Sequence, residues 1–386
     1  MTERVYLDWN ATAPLRPQAR AAMVAALDVI GNPSSVHAEG RAARQIIEGA
    51  REQVAALVGA EPRNVVFTAG GTEANALALS PRTGGPCGRL VVSAIEHPSV
   101  RSGGRFPSAL VETAVVTPSG EINLAALERE MMALAAAGVR PLVSLMLANN
   151  ETGVIQPVAE AARLVHAAGG LLHVDAVQAV GRISCDIKVI GADLLSVSAH
   201  KIGGPRGVGA LIRRDEAIHL DPLVTGGGQE RGVRAGTENV AGIAGFGAAA
   251  AAAQASLAAD GARMLALRGH LEAGLQQASP EVVIFGAAAA RLPNTTLFAV
   301  PGMKAETAVI AFDLEGAAVS SGAACSSGKV QPSHVLGAMG VSPQLVRGAV
   351  RVSLGAATTE TDVERFLRAW NNVSGALLNK SKGIAA

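Results

Sequence analysis

The chain has 386 residues, and 33 Lys+Arg against 32 Asp+Glu leave a formal net charge of +1. That balance, without a basic stripe interleaved with aromatics, argues against nucleic acid as a partner and leaves small molecules and proteins. The length exceeds one ordinary core and predicts a large and a smaller domain with a cleft between them. Apolar residues make up 49% but aromatics only 3%, so Ala, Val and Leu carry the hydrophobicity, as suits helices packed closely on a sheet.

The opening Met1-Thr-Glu-Arg-Val-Tyr-Leu-Asp8 has no apolar run behind a basic end and does not read as a signal peptide, which predicts a cytoplasmic protein. From about residue 60 to 215 short β-branched runs alternate with helical patterns: Val65–Thr68, Leu90–Ser93, Leu142–Leu147, Leu171–Val174, Asp193–Val197 and Val208–Ile212. The alternation predicts an α/β fold with a mostly parallel sheet between helices, whose ligand sits beyond the carboxyl ends of the strands.

Between the first strand and an expected helix lies Phe67-Thr-Ala-Gly-Gly-Thr-Glu-Ala-Asn75. Free amides and the helix dipole there suit a phosphate, although glycines often occupy such turns for conformational reasons alone. In His173-Val-Asp-Ala-Val-Gln178, Asp175 ends a strand and can hold a pyridine nitrogen protonated, or simply cap a helix. Lys201, in Ser196-Val-Ser-Ala-His-Lys-Ile-Gly-Gly-Pro205, also follows a strand. A lone loop lysine is ordinarily a solvated charge, but one among small residues can form a Schiff base. Together the glycine loop, Asp175 and Lys201 describe one aromatic, phosphorylated cofactor, pyridoxal 5'-phosphate (PLP).

The Ala-rich stretch after Asn239 predicts a long helix to about Gln277, broken at Gly261. Its Gly242–Ala253 part is apolar enough to suggest a membrane span but reads as a buried helix, because Gln254, Asp260 and Arg263 follow closely. The strand pattern restarts at Val282–Phe285 and Thr295–Val300, marking the smaller domain. A final helix from about Thr361 to Leu378 sets Val363, Phe366, Leu367 and Trp370 at core spacing.

Cys87, Cys185 and Cys325 share no short spacing, so neither a zinc site nor a disulfide framework is indicated. Cys325, in Ser320-Ser-Gly-Ala-Ala-Cys-Ser-Ser-Gly328, and Cys87, in Gly84-Gly-Pro-Cys-Gly88, have nearly equal claims as reactive thiols; Cys185 reads as structural.

A resemblance joins these segments. Tyr6-Leu-Asp-Trp-Asn-Ala-Thr12, Asn32-Pro-Ser-Ser-Val-His37, Gly70–Asn75, Glu96-His-Pro-Ser99, Asn149-Asn-Glu-Thr-Gly153, His173–Gln178, Ser198-Ala-His-Lys201, Arg234-Ala-Gly-Thr237, Ser320–Cys325 and Val350-Arg-Val-Ser353 span nearly the whole chain. In this order they resemble the cysteine desulfurases, PLP enzymes of fold type I in the class V aminotransferase superfamily. The resemblance implies a large domain over 16–258 with a seven-stranded, mostly parallel sheet, and a small α+β domain from 1–15 and 259–386 carrying the cysteine loop.

It further implies that Lys201 holds PLP, Asp175 pairs with the pyridine nitrogen, Gln178 bonds the ring hydroxyl, and His97 stacks on the ring and moves protons. Gly71, Thr72, Ser198, Ala199 and His200 would line the cofactor and its phosphate, with Thr237 reaching in from the partner subunit of a homodimer. Arg351, helped by Asn150, which also borders the cofactor, would bind the substrate carboxylate. Cys325 would be the nucleophile that takes sulfur from L-cysteine as a persulfide, releasing alanine and feeding an iron–sulfur scaffold; it is also a candidate transient cluster ligand. The long cysteine segment resembles the nitrogen-fixation and housekeeping branch. Two alternatives stand beside this: a selenocysteine lyase or other class V PLP enzyme, and a non-catalytic sulfur carrier or scaffold of the same fold. Trp9 departs from the smaller or polar residue frequent in the family and is expected to reshape a cleft edge.

Overall fold

Alternation along each strand builds the central layer: Val65 and Phe67 face one side of the sheet while Val66 faces the other. In the computed structural model, which describes residues 4–322 and 332–382, seven strands form this sheet. Their spatial order is Val65–Thr68, Gly209–Arg213, Leu194–Ser198, Leu171–Asp175, Pro141–Ser144, Arg89–Ser93 and Val111–Ala114. All neighbours are parallel except Gly209–Arg213, which is antiparallel to both strands beside it. The expected mostly parallel α/β architecture is therefore present. Val111–Ala114 is an additional edge strand that the apolar pattern did not signal, because Glu112 and Thr113 interrupt it and only Ala114 is buried.

Helices Ala38–Leu57, Leu124–Ala136, Val158–Ala167 and the start of Val240–Ala278 cover one face, and Gly71–Ala78 packs on the other. His173 ties three strands together, with Nδ1 against the Ser144 hydroxyl and Nε2 against that of Ser196, both at 2.8 Å. Burial pushes this imidazole down to about 4, so it is neutral.

A second, antiparallel sheet runs in the order Ser320–Ser321, Val350–Ser353, Thr295–Ala299 and Val283–Ile284. Val5–Tyr6 pairs in parallel with Ala317–Ala318, which brings the start of the chain beside its last third. Over this sheet Trp370 and Phe366 of helix Glu360–Lys382 pack on Phe298 and Phe312, with the Phe298 and Trp370 rings edge to face at 5.3 Å.

Val240–Ala278 is one unbroken helix of 39 residues, which corrects the break expected at Gly261. A single glycine weakens a helix interior by only about 1 kcal/mol. Packing outweighs that, since Phe246 and Ala250 lie in the core under the large sheet while Leu267, Leu271 and Leu275 lie in the second core. The helix is long and apolar enough to cross a membrane, yet its apolar half is buried against Pro17–Leu27 and Ala38–Leu57.

Several bonds join the region of the second sheet to the loops of the first, one of them at a buried carboxyl. Glu151, 3% exposed, accepts from the Ser333 hydroxyl at 2.5 Å, and its carboxyl lies 3.6 Å from where a Cβ on Gly322 would stand. Burial raises this carboxyl from 4.5 to about 7, against the opposing effects of Ser333 and Arg351.

Two outcomes follow for stability. A Cβ on Gly247 would come within 2.6 Å of Ala50 Cα, so Gly247→Ala should cost about 1–3 kcal/mol in chemical denaturation by forcing two helices apart. At Gly261 the nearest atom is Arg182 O at 3.7 Å, and Gly261→Ala should instead be neutral or stabilise by up to about 1 kcal/mol. Glu151 keeps its proton in the folded chain over a range where the unfolded chain has lost it. Its contribution is thus complete below about pH 4.5 and is lost as pH rises through about 7. The stability of the parent relative to Glu151→Gln should therefore fall between pH 5 and 8, by up to about 3 kcal/mol in thermal unfolding; a pH-independent difference would contradict a protonated Glu151.

Candidate active site

The parallel strands end along one edge, and the loops leaving them enclose a cavity of about 290 Å³. Asp175 is the last residue of its strand and forms the floor. Its Oδ2 accepts from Asn75 Nδ2 at 2.9 Å and its Oδ1 from the Val177 amide at 3.0 Å, so both oxygens are satisfied although the residue is 6% exposed. The alternative of a plain helix cap is not what the structure contains, since the bond to Val177 closes a local turn and no helix follows.

From the floor a hydrogen-bond chain climbs one wall. Asn75 Nδ2 also donates to Ser99 Oγ at 2.9 Å, and Ser99 Oγ lies 2.7 Å from His97 Nδ1. The Ser99 backbone amide donates to the same Nδ1 at 3.2 Å, so Nδ1 is an acceptor and the ring proton resides on Nε2. Burial lowers the His97 pKa, Asp175 opposes this and Lys201 adds to it, leaving a neutral imidazole. Behind the ring Glu96 is fully buried. Burial and the nearby Asp175 raise its carboxyl well above the usual range, so it is held uncharged while Oε1 accepts from the Met146 amide.

Lys201 ends the short turn Ala199–Lys201 that follows Leu194–Ser198. Its Nζ donates to Asn10 O at 2.6 Å and Ala11 O at 2.8 Å, both from the amino-terminal segment. Gly71, Thr72, Ser198 and His200 lie on the cavity wall. Gly70 precedes helix Gly71–Ala78 without a side-chain cap, leaving its first amides free of one. His200 is pushed down to about 4 by burial and then by Lys201, so it is neutral. Ala199 is buried but does not line the cavity; its carbonyl accepts from the Ile202 and Gly204 amides and holds the turn.

Arg351, on strand Val350–Ser353 and 2% exposed, reaches the same cavity from the second sheet. Nη1 donates to Asn150 O at 3.0 Å and Nη2 to Asp8 Oδ1 at 2.8 Å, while its buried Nε has no partner among the described residues. Gln178 donates through Nε2 to Asn10 O at 3.0 Å.

Asp8, Asn10, Asn75 and Ser99 were given no roles by sequence reasoning, although each sits inside a motif that carried the resemblance. What their presence in those motifs did not convey is which partner each meets. Thr237 is not on the cavity wall; it is exposed and lines a separate recess of about 170 Å³ beside Thr68 and Gly207. Trp9 likewise borders a neighbouring cavity of about 310 Å³, where its ring lies over Gly355 so closely that no Cβ could stand there.

Cys87 loses its claim as an exposed thiol. It is 5% exposed, its sulfur meets Thr83 O at 3.6 Å and Gly85 O at 3.7 Å, and burial raises its pKa. Cys185 is buried and pushed up to about 12, an inert packing residue. Cys325 lies outside the described residues, as does the expected cluster ligation by it.

The aminotransferase class-V family profile matches residues 5–366. A cysteine desulfurase of Cereibacter sphaeroides is 43% identical over 373 residues, covering 95% of this chain and 94% of that one. Among solved structures, a NifS-like protein from Rickettsia africae ESF-5 superposes with a TM-score of 0.86 at 35% identity, covering 97% of this chain and 100% of that chain. The structure of SspA in complex with cysteine has a TM-score of 0.73 at 28% identity, covering 92% of this chain and 99% of the other. The chain belongs to the class-V aminotransferase family and, within it, to the cysteine desulfurases.

Proposed function

We propose that this cavity binds PLP and L-cysteine, and that the enzyme passes the substrate sulfur to Cys325 as a persulfide with release of L-alanine. The observation that carries the reading is the convergence on one cavity of an amine, a buried carboxyl group, a neutral imidazole and a buried guanidinium, from Lys201, Asp175, His97 and Arg351. The donor set fits PLP: uncapped amides at Gly71 and Thr72 with the Ser198 hydroxyl for a phosphate, and Asp175 for a pyridine nitrogen. Gly71 also supports the fit, because a Cβ there would come within 2.9 Å of Val177 Cγ2 in the cavity wall.

When bound, PLP supplies an electrophilic aldehyde and a ring that withdraws electrons from the substrate Cα. Lys201 would be the amine that holds the aldehyde and the base for the Cα proton; the carbonyls of Asn10 and Ala11 orient its Nζ. His97 would face the cofactor ring and, with Nδ1 occupied by Ser99, offers only Nε2–H to the cavity. Arg351 takes the substrate carboxylate, with Asp8 and Asn150 O fixing its two terminal nitrogens and the Nε–H left to donate. The Cys325 thiolate attacks the substrate sulfur: an S–S bond forms, the substrate C–S bond breaks, and its electron pair returns to the carbon skeleton, which is protonated to alanine.

Support for Cys325 comes from both sides. Strand register sets Ser320 against Arg351 and Ser321 against Val350, so the chain leads into the cysteine segment from the strand beside the one that carries Arg351. Neither Cys87 nor Cys185 borders the cavity. We further propose a division of labour between 16–258, holding the cofactor, and 1–15 with 259–386, carrying the thiol. A cytoplasmic homodimer in which Thr237 serves the partner's cavity accounts for its exposure outside its own. An iron–sulfur scaffold is the proposed acceptor.

Incubation with L-cysteine followed by mass spectrometry of the peptides tests the sulfur path. The mass of one added sulfur should appear on the Cys325 peptide, Cys325→Ala should abolish sulfide release, and Cys87→Ala should leave it unchanged. Sulfur on the Cys87 peptide would overturn the assignment. Lys201→Ala should lose borohydride-reducible PLP attachment. Arg351→Met should raise KM for L-cysteine by about thirtyfold or more, the loss of a buried charge pair worth at least about 2 kcal/mol.

A further inference from the structure

We infer that Arg182 is a positioning residue, fixing the Gln178 side-chain amide so that its NH2 group faces the cofactor cavity. The inference rests on the PLP reading above. Arg182 is 7% exposed and does not line that cavity; it stands behind Gln178, in the wall of the neighbouring one. Among the described residues no carboxylate lies within ion-pairing distance of it. Its hydrogen bonds go only to neutral oxygens: Nη1 to Gln178 O at 2.5 Å and Gln178 Oε1 at 2.6 Å, and Nη2 to Trp9 O at 3.4 Å.

A buried cation without a counter-ion is costly, so its retention calls for a reason beyond packing. Burial and then Arg351 push Arg182 down to about 9, which still leaves it charged at neutral pH. Guanidinium has five donors and no acceptor, so the amide atom it faces must be oxygen. The amide nitrogen is then turned away from Arg182. One of its protons goes to Asn10 O at 3.0 Å, and the other is available to the cavity that Gln178 lines. Without Arg182 only the bond to Asn10 O would oppose a half-turn of the amide, which would present its oxygen where an electron-rich ring oxygen of the cofactor needs a donor. The cation behind the amide also polarises it, strengthening the N–H donor.

A double-mutant cycle tests this on the full-length protein, with PLP dissociation followed by equilibrium dialysis. Arg182→Met should weaken PLP binding about tenfold when Gln178 is present, the loss of one hydrogen bond to a charged group. In a Gln178→Leu background the same substitution should change it less than twofold, because Arg182 acts through Gln178. Equal losses in both backgrounds, or no loss in either, would overturn the inference. Should Arg182→Met not fold, Arg182→Lys carries the same cycle, with a loss of about threefold expected only when Gln178 is present. A second readout needs no cofactor: in cofactor-free protein labelled with 15N-glutamine, the Gln178 side-chain amide should exchange its protons slowly and, in either Arg182 variant, faster. An unchanged exchange rate would also overturn it. If the unaltered protein took up no PLP, the functional reading would fail, and the amide exchange would still decide the role of Arg182.

Discussion

Asp175 sets the terms for the rest of the site. A carboxyl group at the buried end of a strand must have its oxygens met, and here a side chain from Gly71–Ala78 and a backbone amide two residues on meet them. Because Asn75 serves both Asp175 and Ser99, the side chain that satisfies the floor also orders the wall, where the Ser99 amide sets the tautomer of His97. The charge at Asp175 helps keep Glu96 protonated and opposes the drop in the His97 pKa. Neighbouring His173, held between two serine hydroxyls, stays neutral and adds no charge beneath the site at neutral pH.

A buried guanidinium is brought to the same cavity from distant parts of the chain. Arg351 comes from the last strand and Asp8 from the amino-terminal segment, with Asn150 between them. Asn10 receives Lys201 and Gln178 on one carbonyl, and its side chain donates to Asn150 O and Thr295 Oγ1. The amino-terminal segment, which also pairs with Ala317–Ala318, thus fastens the two sheets together at the cavity. Stability and function share these contacts, so substitutions at Asp8 or Asn10 affect both.

Strand and helix types in the large sheet were legible because apolar alternation and β-branched runs are local properties. The edge strand Val111–Ala114 was not legible, since its order comes from pairing with Arg89–Ser93 rather than from its own composition. The continuous 39-residue helix escaped for the opposite reason: Gly261 is a real local weakness, overridden by cores on either side. Among the cysteines, glycine-rich surroundings suggested exposure for Cys87, whereas packing against Leu90, Val92 and Leu142 buries it.

The sequence by itself determined the α/β class, the family, and the residue types at strand ends that suit a phosphorylated aromatic cofactor, because each depends on short segments read in order. Tertiary structure alone decided which of those residues share hydrogen bonds. It joined Asp8 to Arg351, Asn75 to Asp175 and Arg182 to Gln178, the first two across long sequence separations and the last across one helical turn's length. It also decided how each group titrates. Burial costs the charged form, and burial is a property of the assembled chain: Glu96 and Glu151 hold their protons above the usual carboxylate range, while His97, His173 and His200 give theirs up below the usual imidazole range.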